Sequence, residues 1–271
     1  MGLLLLVLAA ATGACSAAGP GNAGDPSVPQ TVDGGASLVF VQSSGNGYAI
    51  SELNARTENG DVGSVDFSAA GVDPRDLASA LAVPRTVVAL GAVRGDTFVA
   101  SAVYRTLPAV AAAADDSFYV GRVQADGDVA SAVNVGEETL LGRLDLSELT
   151  PRLLDTVWLS ALVLGGNAVA AGSLVGPLDG RVLDTSTVFL RVPDDTTCKT
   201  TVPACPDGAI AMYVRDASRC LVASGCTTPT RCPEYVPLCD PGYQLAQWPS
   251  AGGCASFACD PTFDPAPTVY R

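Results

Sequence analysis

Residues 62–68 read Val-Gly-Ser-Val-Asp-Phe-Ser, and residues 141–147 read Leu-Gly-Arg-Leu-Asp-Leu-Ser. Both heptapeptides carry apolar residues at the same positions and share a glycine, an aspartate and a final serine. Val65 and Phe67 alternate with polar neighbours, as do Leu144 and Leu146, which is the period of a strand with one buried face. Two copies of such a strand predict a duplicated β structure.

The correspondence extends well beyond the heptapeptides, at separations of 79 or 80 residues. It pairs Phe40-Val41 with Tyr119-Val120, Asn46-Gly47 with Asp126-Gly127, and Asn54 with Asn134. We therefore predict one domain over residues 37–193, with halves at 37–108 and 117–193. Each half is expected to form three strands, a helix and two more strands, and a last strand at 187–192 is expected to close the sheet against the first. The predicted fold is mainly β, an internally duplicated β-sandwich or barrel with two short helices.

Local signals predict where elements turn and begin. Asn46-Gly47 and Asp126-Gly127 are dipeptides that favour two-residue hairpin turns, because their central residues need positive φ. Asp73 and Thr150 each precede a proline, and we expect them to cap the two helices.

The other repeat is made of cysteines. Between residues 198 and 259 the spacing is six, fourteen and five residues in one copy and six, fourteen and four in the next. No Cys-x-x-Cys pair occurs, so disulfides are favoured over a zinc or thioredoxin-like site, and disulfides persist in oxidising compartments. We predict a disulfide-rich module at residues 198–260, with repeats at 198–226 and 232–259, and the spacing leaves the pairing open. Its cysteines are Cys198, Cys205, Cys220, Cys226, Cys232, Cys239, Cys254 and Cys259.

Composition excludes several classes of function. The net charge of −13 disfavours nucleic-acid binding. The chain has no histidine, which removes the usual general base, the Ser-His-Asp arrangement and the commonest metal ligand. Lys199 is the one lysine, which makes a lysine base implausible. We expect no enzyme activity, no cofactor and no metal site, although a carboxylate-only hydrolase stays open.

The N-terminus predicts export. Leu3 to Ala11 is an apolar run too short for a membrane span and typical of a signal peptide. Thr12-Gly13-Ala14-Cys15 resembles the bacterial lipobox, which implies a signal peptide at 1–15 and a palmitate-bearing lipid anchor on Cys15 that attaches the protein to a membrane. Residues 16–36 are expected to be a flexible linker. Ser16, rather than aspartate, then implies an outer-membrane or cell-surface location. A plain secretory signal, giving a secreted or periplasmic protein, is the alternative.

The two fourteen-residue intervals within the module are candidates for binding a protein or protease partner. Disulfide-bounded loops that carry a large side chain are pre-organised for a protease cleft. The alternative is that the same aromatic residues form the small core of each repeat. The candidate residues are Met212, Tyr213, Val214, Arg215, Tyr243 and Trp248.

Several motifs also resemble known families. Gly47-Tyr48, Leu53-Asn54, Leu144-Asp145-Leu146-Ser147 and the closing 188–192 segment resemble an exported bacterial lipoprotein family that carries a domain of unknown function. Cys239-Asp240-Pro241-Gly242-Tyr243 with Gly253-Cys254 resembles antistasin-like inhibitor modules. These resemblances imply a non-catalytic cell-envelope lipoprotein with a structural or binding role, or alternatively a secreted protease inhibitor.

Overall fold

Eleven strands from both halves of the duplicated region form one sheet in the computed structural model. The structure describes residues 35–55, 60–108, 110–149, 153–178, 180–192, 198–199, 201–216 and 218–263. The first half contains β1 (Ser37–Ser44), β2 (Gly47–Glu52), β3 (Gly60–Val62), β4 (Ser64–Asp66), α1 (Pro74–Leu81), β5 (Val87–Arg94) and β6 (Thr97–Thr106). The second contains β7 (Ser117–Arg122), β8 (Val129–Ala132), β9 (Glu138–Asp145), α2 (Thr156–Leu164), β10 (Ala168–Val175) and β11 (Arg181–Val192). The cysteine-rich region adds β12 (Ile210–Arg215), β13 (Leu221–Thr227), β14 (Tyr243–Pro249) and β15 (Ala255–Pro261).

Each half closes on itself as a small barrel. In the first, β1 pairs with β2 and β5, β2 with β3, and β5 with β6, and the parallel pairing of β4 with β6 completes the ring. The second repeats this order with β7, β8, β9, β11 and β10, including the parallel pair of β9 and β11. Closure removes the free strand edges that an open sheet would expose. The prediction of a mainly β duplicated fold with two helices and a disulfide-rich region is confirmed, and the halves are barrels.

The barrels are joined by an antiparallel pairing of β6 with β11. The two strands of this pairing are related by a two-fold rotation. The hairpin registers place Ala102 of β6 and Thr187 of β11 at equivalent positions in their barrels, so Tyr104 is equivalent to Phe189. The rotation exchanges the two outer residue pairs with each other and leaves the central pair in place. The central pair is Arg105 with Leu190, and the outer pairs are Tyr104 with Arg191 and Phe189 with Thr106. The last strand thus pairs with β6 rather than with β1, which corrects the expected closure.

Both faces of the central strands are buried. In β5, Val87 and Ala89 pack inside the first barrel, while Val88 packs in a cluster shared by both barrels. That cluster includes the rings of Phe40, Phe118 and Phe189, whose centroids lie 5.2–6.0 Å apart. Burial on both faces explains why these strands read as nearly continuous apolar runs.

Each heptapeptide ends a strand in a side-chain-stabilised turn. The carboxylate of Asp66 accepts the backbone N–H of Ser68 at 2.9 Å, and Asp145 accepts that of Ser147 at 3.1 Å. In both halves, hydrogen bonds from the serine side chain and then from its backbone lower the pKa of the aspartate. The repeated Asp-x-Ser motif is therefore a turn motif.

One helix cap was predicted correctly and the other was not. Asp73 caps α1, accepting the N–H of Arg75 at 2.9 Å, with Pro74 at the first helical position. In contrast, α2 begins at Thr156, and Asp155 caps it by accepting the N–H of Trp158 at 3.0 Å. Thr150 precedes this start by six positions in the sequence and lies outside the described residues, so the predicted start of α2 was too early.

The expected hairpin turns are shifted. Ser44 pairs with Gly47, so the β1–β2 turn is Gly45-Asn46, with positive φ at Gly45. Gly47 belongs to the strand, where a Cβ would collide with the carbonyl oxygen of Val62. Asp126-Gly127 lies in a longer connection between β7 and β8.

Candidate functional site in the cysteine module

Each cysteine repeat closes two disulfides of its own. The first cysteine pairs with the third and the second with the fourth, and each repeat contains one two-stranded hairpin, β12–β13 or β14–β15. With loops of 20–22 residues, each bond is worth about 3 kcal/mol to the folded state. The bonds are Cys198–Cys220, Cys205–Cys226, Cys232–Cys254 and Cys239–Cys259, so all eight predicted disulfide cysteines are paired.

Arg215 connects the two repeats to the second barrel. Its Nη2 donates to both carboxylate oxygens of Asp260 at 3.0 Å, and its Nη1 lies 3.4 Å from Oδ2 of Asp155, the cap of α2. The guanidinium lies 5.2 Å from the ring centroid of Trp248, and the side chain is only 5% exposed. One buried cation of the first repeat therefore binds residues of the second repeat and of the second barrel.

Further contacts hold the second repeat at the same position. The N–H of Cys259 donates to the carbonyl of Leu153 at 2.8 Å. Nη1 of Arg105 donates to the carbonyl of Phe263 at 2.6 Å, and the guanidinium lies 5.3 Å from the ring centroid of Phe263. The second repeat is thus fixed against both barrels.

The contact with the second barrel also changes the pKa of Tyr243. It opens β14 and packs against the core of the second barrel. Burial, and then the nearby charge of Asp240, raise the pKa of Tyr243 to about 12. Both causes disfavour the charged phenolate, so Tyr243 keeps its neutral hydroxyl while β14 is packed against the second barrel.

The six predicted binding-loop residues lie in strands. Met212, Tyr213, Val214 and Arg215 belong to β12, and Tyr243 and Trp248 belong to β14. Arg215 and Trp248 are brought together at the contact between the repeats. The three aromatic side chains, Tyr213, Tyr243 and Trp248, are partly buried. Their expected role in partner binding, and the alternative in which they form the small core of each repeat, both stay predictions.

The exposed apolar side chains instead cluster in the segment between two cysteines, which we call the 232–239 loop. Tyr235 is 69% exposed, Val236 62% and Leu238 94%. Pro237 is buried, and disulfides at Cys232 and Cys239 fix the two ends. A cavity of about 540 Å³ lies between residues 232–236 of the loop and the β14–β15 hairpin, whereas Pro237 beyond it is buried.

Sequence reasoning missed this loop. The signal was present, because Val236-Pro237-Leu238-Cys239 repeats Val202-Pro203-Ala204-Cys205 of the first copy. That similarity indicates duplication, but only the structure shows that Pro237 turns inward while both neighbours face solvent.

A second candidate cleft lies between the barrels, around Arg85. This cleft has a volume of about 460 Å³. The guanidinium of Arg85 lies 4.7 Å from the ring centroid of Phe40 and donates to the carbonyls of Ala112 and Ala113. Burial lowers the pKa of Arg85, while the charges of nearby aspartates, led by Asp116, oppose that shift. Because the cation is engaged with the protein itself, the cleft is a structural junction.

Reciprocal hydrogen bonds from two asparagines complete that junction. Asn54 accepts the N–H of Phe118 at 2.8 Å and donates to the carbonyls of Phe118 and Val133 at 2.7 and 3.1 Å. Asn134 repeats all three bonds with Leu38 and Leu53 of the first half, at 3.0, 2.7 and 3.1 Å. Each half therefore satisfies backbone groups of the other.

Two expectations from the sequence concern a membrane anchor and a metal site. Cys15, the signal peptide and the 16–36 linker lie outside the described residues, so lipidation of Cys15 stays a prediction. None of the helices in the described ranges has the length and apolar character to span a bilayer. Within those ranges, no three histidine, cysteine, aspartate or glutamate side chains group as a metal site.

Comparison with known proteins gives little by way of relatives. No protein-family model matches the chain. An uncharacterised protein of Dictyostelium discoideum is 32% identical over 140 residues, which cover 50% of this chain and 48% of that protein. The chain therefore spans about half the length of the relative it matches. No solved structure matches the chain.

These findings overturn the family resemblances. The bacterial lipoprotein family with its domain of unknown function and the antistasin-like modules receive no support, and the matching relative is eukaryotic. The quoted motifs have structural causes that explain the error. Asp145-Leu146-Ser147 is a turn, and Leu53-Asn54 is part of the contact between barrels, so neither marks a particular family.

Proposed function

We propose that this chain is an exported, non-catalytic protein with a binding role, and that it works in an oxidising compartment. The four disulfides carry the proposal. In the described part of residues 198–263, the buried side chains are Pro237, Ala258, Cys259 and Pro261, which is too little core to hold the fold. A module of this kind depends on its crosslinks, and these persist where thiols are not kept reduced.

The distribution of polar and apolar side chains supports a binding role. In the barrels, the prominent polar groups between the halves, Asn54, Asn134 and Arg85, are engaged in internal bonds. The 232–239 loop, in contrast, presents three large apolar side chains to solvent. The lack of histidine favours binding over catalysis.

The redox state of the cysteines tests the proposal. Protein recovered from its native location should react with a maleimide at none of the eight module cysteines, and reduction should then expose eight new thiols. The Cys198→Ser variant should free one thiol, while Cys198→Ser with Cys220→Ser should free none. Eight thiols that react before reduction would overturn the proposed compartment.

A protease inhibitor is the second candidate. It is favoured by one observation, the exposed 232–239 loop with a disulfide at each end. A segment held in its bound conformation loses less entropy on binding a cleft.

A further inference from the structure

Leu238 is the most exposed of the large apolar side chains in the described part of the chain, at 94%. Burial of a leucine side chain in a partner's apolar pocket tightens binding by about 10- to 100-fold. This residue therefore offers the largest apolar gain on the module's surface. Tyr235 and Val236 of the same loop are exposed as well, so Leu238 adds to an apolar surface that a partner can cover.

The neighbours of Leu238 fix its backbone. Pro237 is buried on one side, and Cys239 on the other is bonded to Cys259 in β15. Val236 and Asp240 beyond them face solvent. The chain thus presents a short apolar segment, tied to β15 through Cys239, in which Leu238 is the most exposed side chain.

The crosslinks also determine the fate of the segment once a protease has cut it. Hydrolysis of the Leu238–Cys239 peptide bond would add one water, leaving a carboxylate on Leu238 and an amine on Cys239. Cys232 stays bonded to Cys254 and Cys239 to Cys259, so both new ends remain on the same hairpin. Neither product can diffuse away, and condensation with loss of that water restores the bond. Such a segment occupies the protease instead of being consumed.

We propose that the 232–239 loop binds the active-site cleft of a serine endopeptidase, with Leu238 in an apolar primary pocket. This inference rests on the proposed binding role and adds the class of partner. Glu234, Asp240 and the net charge of −13 favour an enzyme with a basic rim around its cleft. The first repeat presents Ala204, which is exposed at the equivalent position, and so provides a weaker internal counterpart.

Titration of the oxidised full chain against chymotrypsin and trypsin tests the inference. Chymotrypsin has a hydrophobic primary pocket, whereas the pocket of trypsin carries an aspartate. The native chain should slow chymotrypsin hydrolysis of a small chromogenic substrate and leave trypsin unaffected. Leu238→Lys should weaken chymotrypsin inhibition at least 10-fold and create trypsin inhibition. Mass spectrometry with and without reduction should show that any cut chain stays in one piece until its disulfides are reduced.

Leu178→Lys is the matched control, because Leu178 is also exposed, at 75%, but lies on the second barrel. It should leave inhibition of both enzymes unchanged. Inhibition by the native chain that Leu238→Lys leaves the same would overturn the role of Leu238. Absence of inhibition of chymotrypsin, in protein with all four disulfides intact, would overturn the protease partner but not the exported binding role. The latter is overturned only by free module thiols.

Discussion

At the level of single residues, the contact between the barrels depends on two asparagines that bond across it. Asn54 and Asn134 both have positive φ, 57° and 59°, and each uses its full amide on the opposite half. Asparagine suits this position because it tolerates the left-handed region and carries both a donor and an acceptor. The match of the two residues was visible in the sequence. Their exchange across the interface was not, because the bonded partners lie 64–96 residues away.

We predict that Asn54→Ala lowers the free energy of unfolding by about 2–4 kcal/mol, because it removes three hydrogen bonds and places alanine at positive φ. Asn54→Gly keeps the backbone conformation and separates the two effects, so it should cost less. Asn134→Ala should behave like Asn54→Ala, as the two-fold relation requires. Urea denaturation measures all three, and a cost below about 0.5 kcal/mol for either alanine variant would contradict the argument.

At the level of elements, periodicity predicted which segments are strands, but not every boundary. Asn46-Gly47 has the composition of a hairpin turn, yet Gly47 is a glycine because the carbonyl of Val62 on β3 approaches it too closely for a side chain. The sequence shows the same residue for either cause. The predicted cap of α2 was wrong for a similar reason. Asp155 and Thr150 are both residue types that cap helices, and the sequence alone does not show at which of them the helix begins.

Docking of β14 on the second barrel predicts one abnormal tyrosine. The folded pKa of Tyr243, about 12, is raised from its ordinary value of 10.0. Because the neutral form is favoured, its contribution to stability is complete below pH 10 and is lost as the pH rises towards 12. Burial also raises the pKa of Tyr104, so absorbance titration should show two tyrosines ionising late. Tyr243→Phe should remove one late step and Tyr104→Phe the other, so each variant is the control for the other.

At the scale of the whole molecule, the duplication could be predicted from the sequence, but the closure of each half into a barrel could not. The paired heptapeptides show two copies of one unit. Whether the copies form a sandwich or two barrels depends on the parallel pairs β4–β6 and β9–β11 and on the pairing of β6 with β11. Those contacts join residues about 30 to 90 positions apart, and no local pattern in the sequence encodes them. The site was less predictable still, because exposure of Leu238 is a property of the folded module.

Arg215 should control whether the module stays on the barrel. Arg215→Met leaves Asp155 and Asp260 without their shared cation, and breaking a buried pair in this way costs about 3–5 kcal/mol. Hydrogen exchange at the Cys259 amide, which donates to Leu153, should become faster. Arg143→Met removes an exposed ion pair with Asp145 and should leave that amide unchanged.

A second set of substitutions tests whether the unpaired carboxylates cause the effect of Arg215→Met. Asp155→Asn and Asp260→Asn, added to Arg215→Met, remove the uncompensated charges and should restore part of the lost protection. Unchanged exchange at Cys259 in Arg215→Met would show that the other contacts suffice to hold the module.

The pairing of β6 with β11 lies within one polypeptide. An interface between separate subunits weakens as the protein becomes scarce, because dissociation is favoured by dilution. Here the two barrels share a chain, so their contact is independent of concentration. A molecule released into a large extracellular volume would keep this double-barrel body intact even at vanishing abundance.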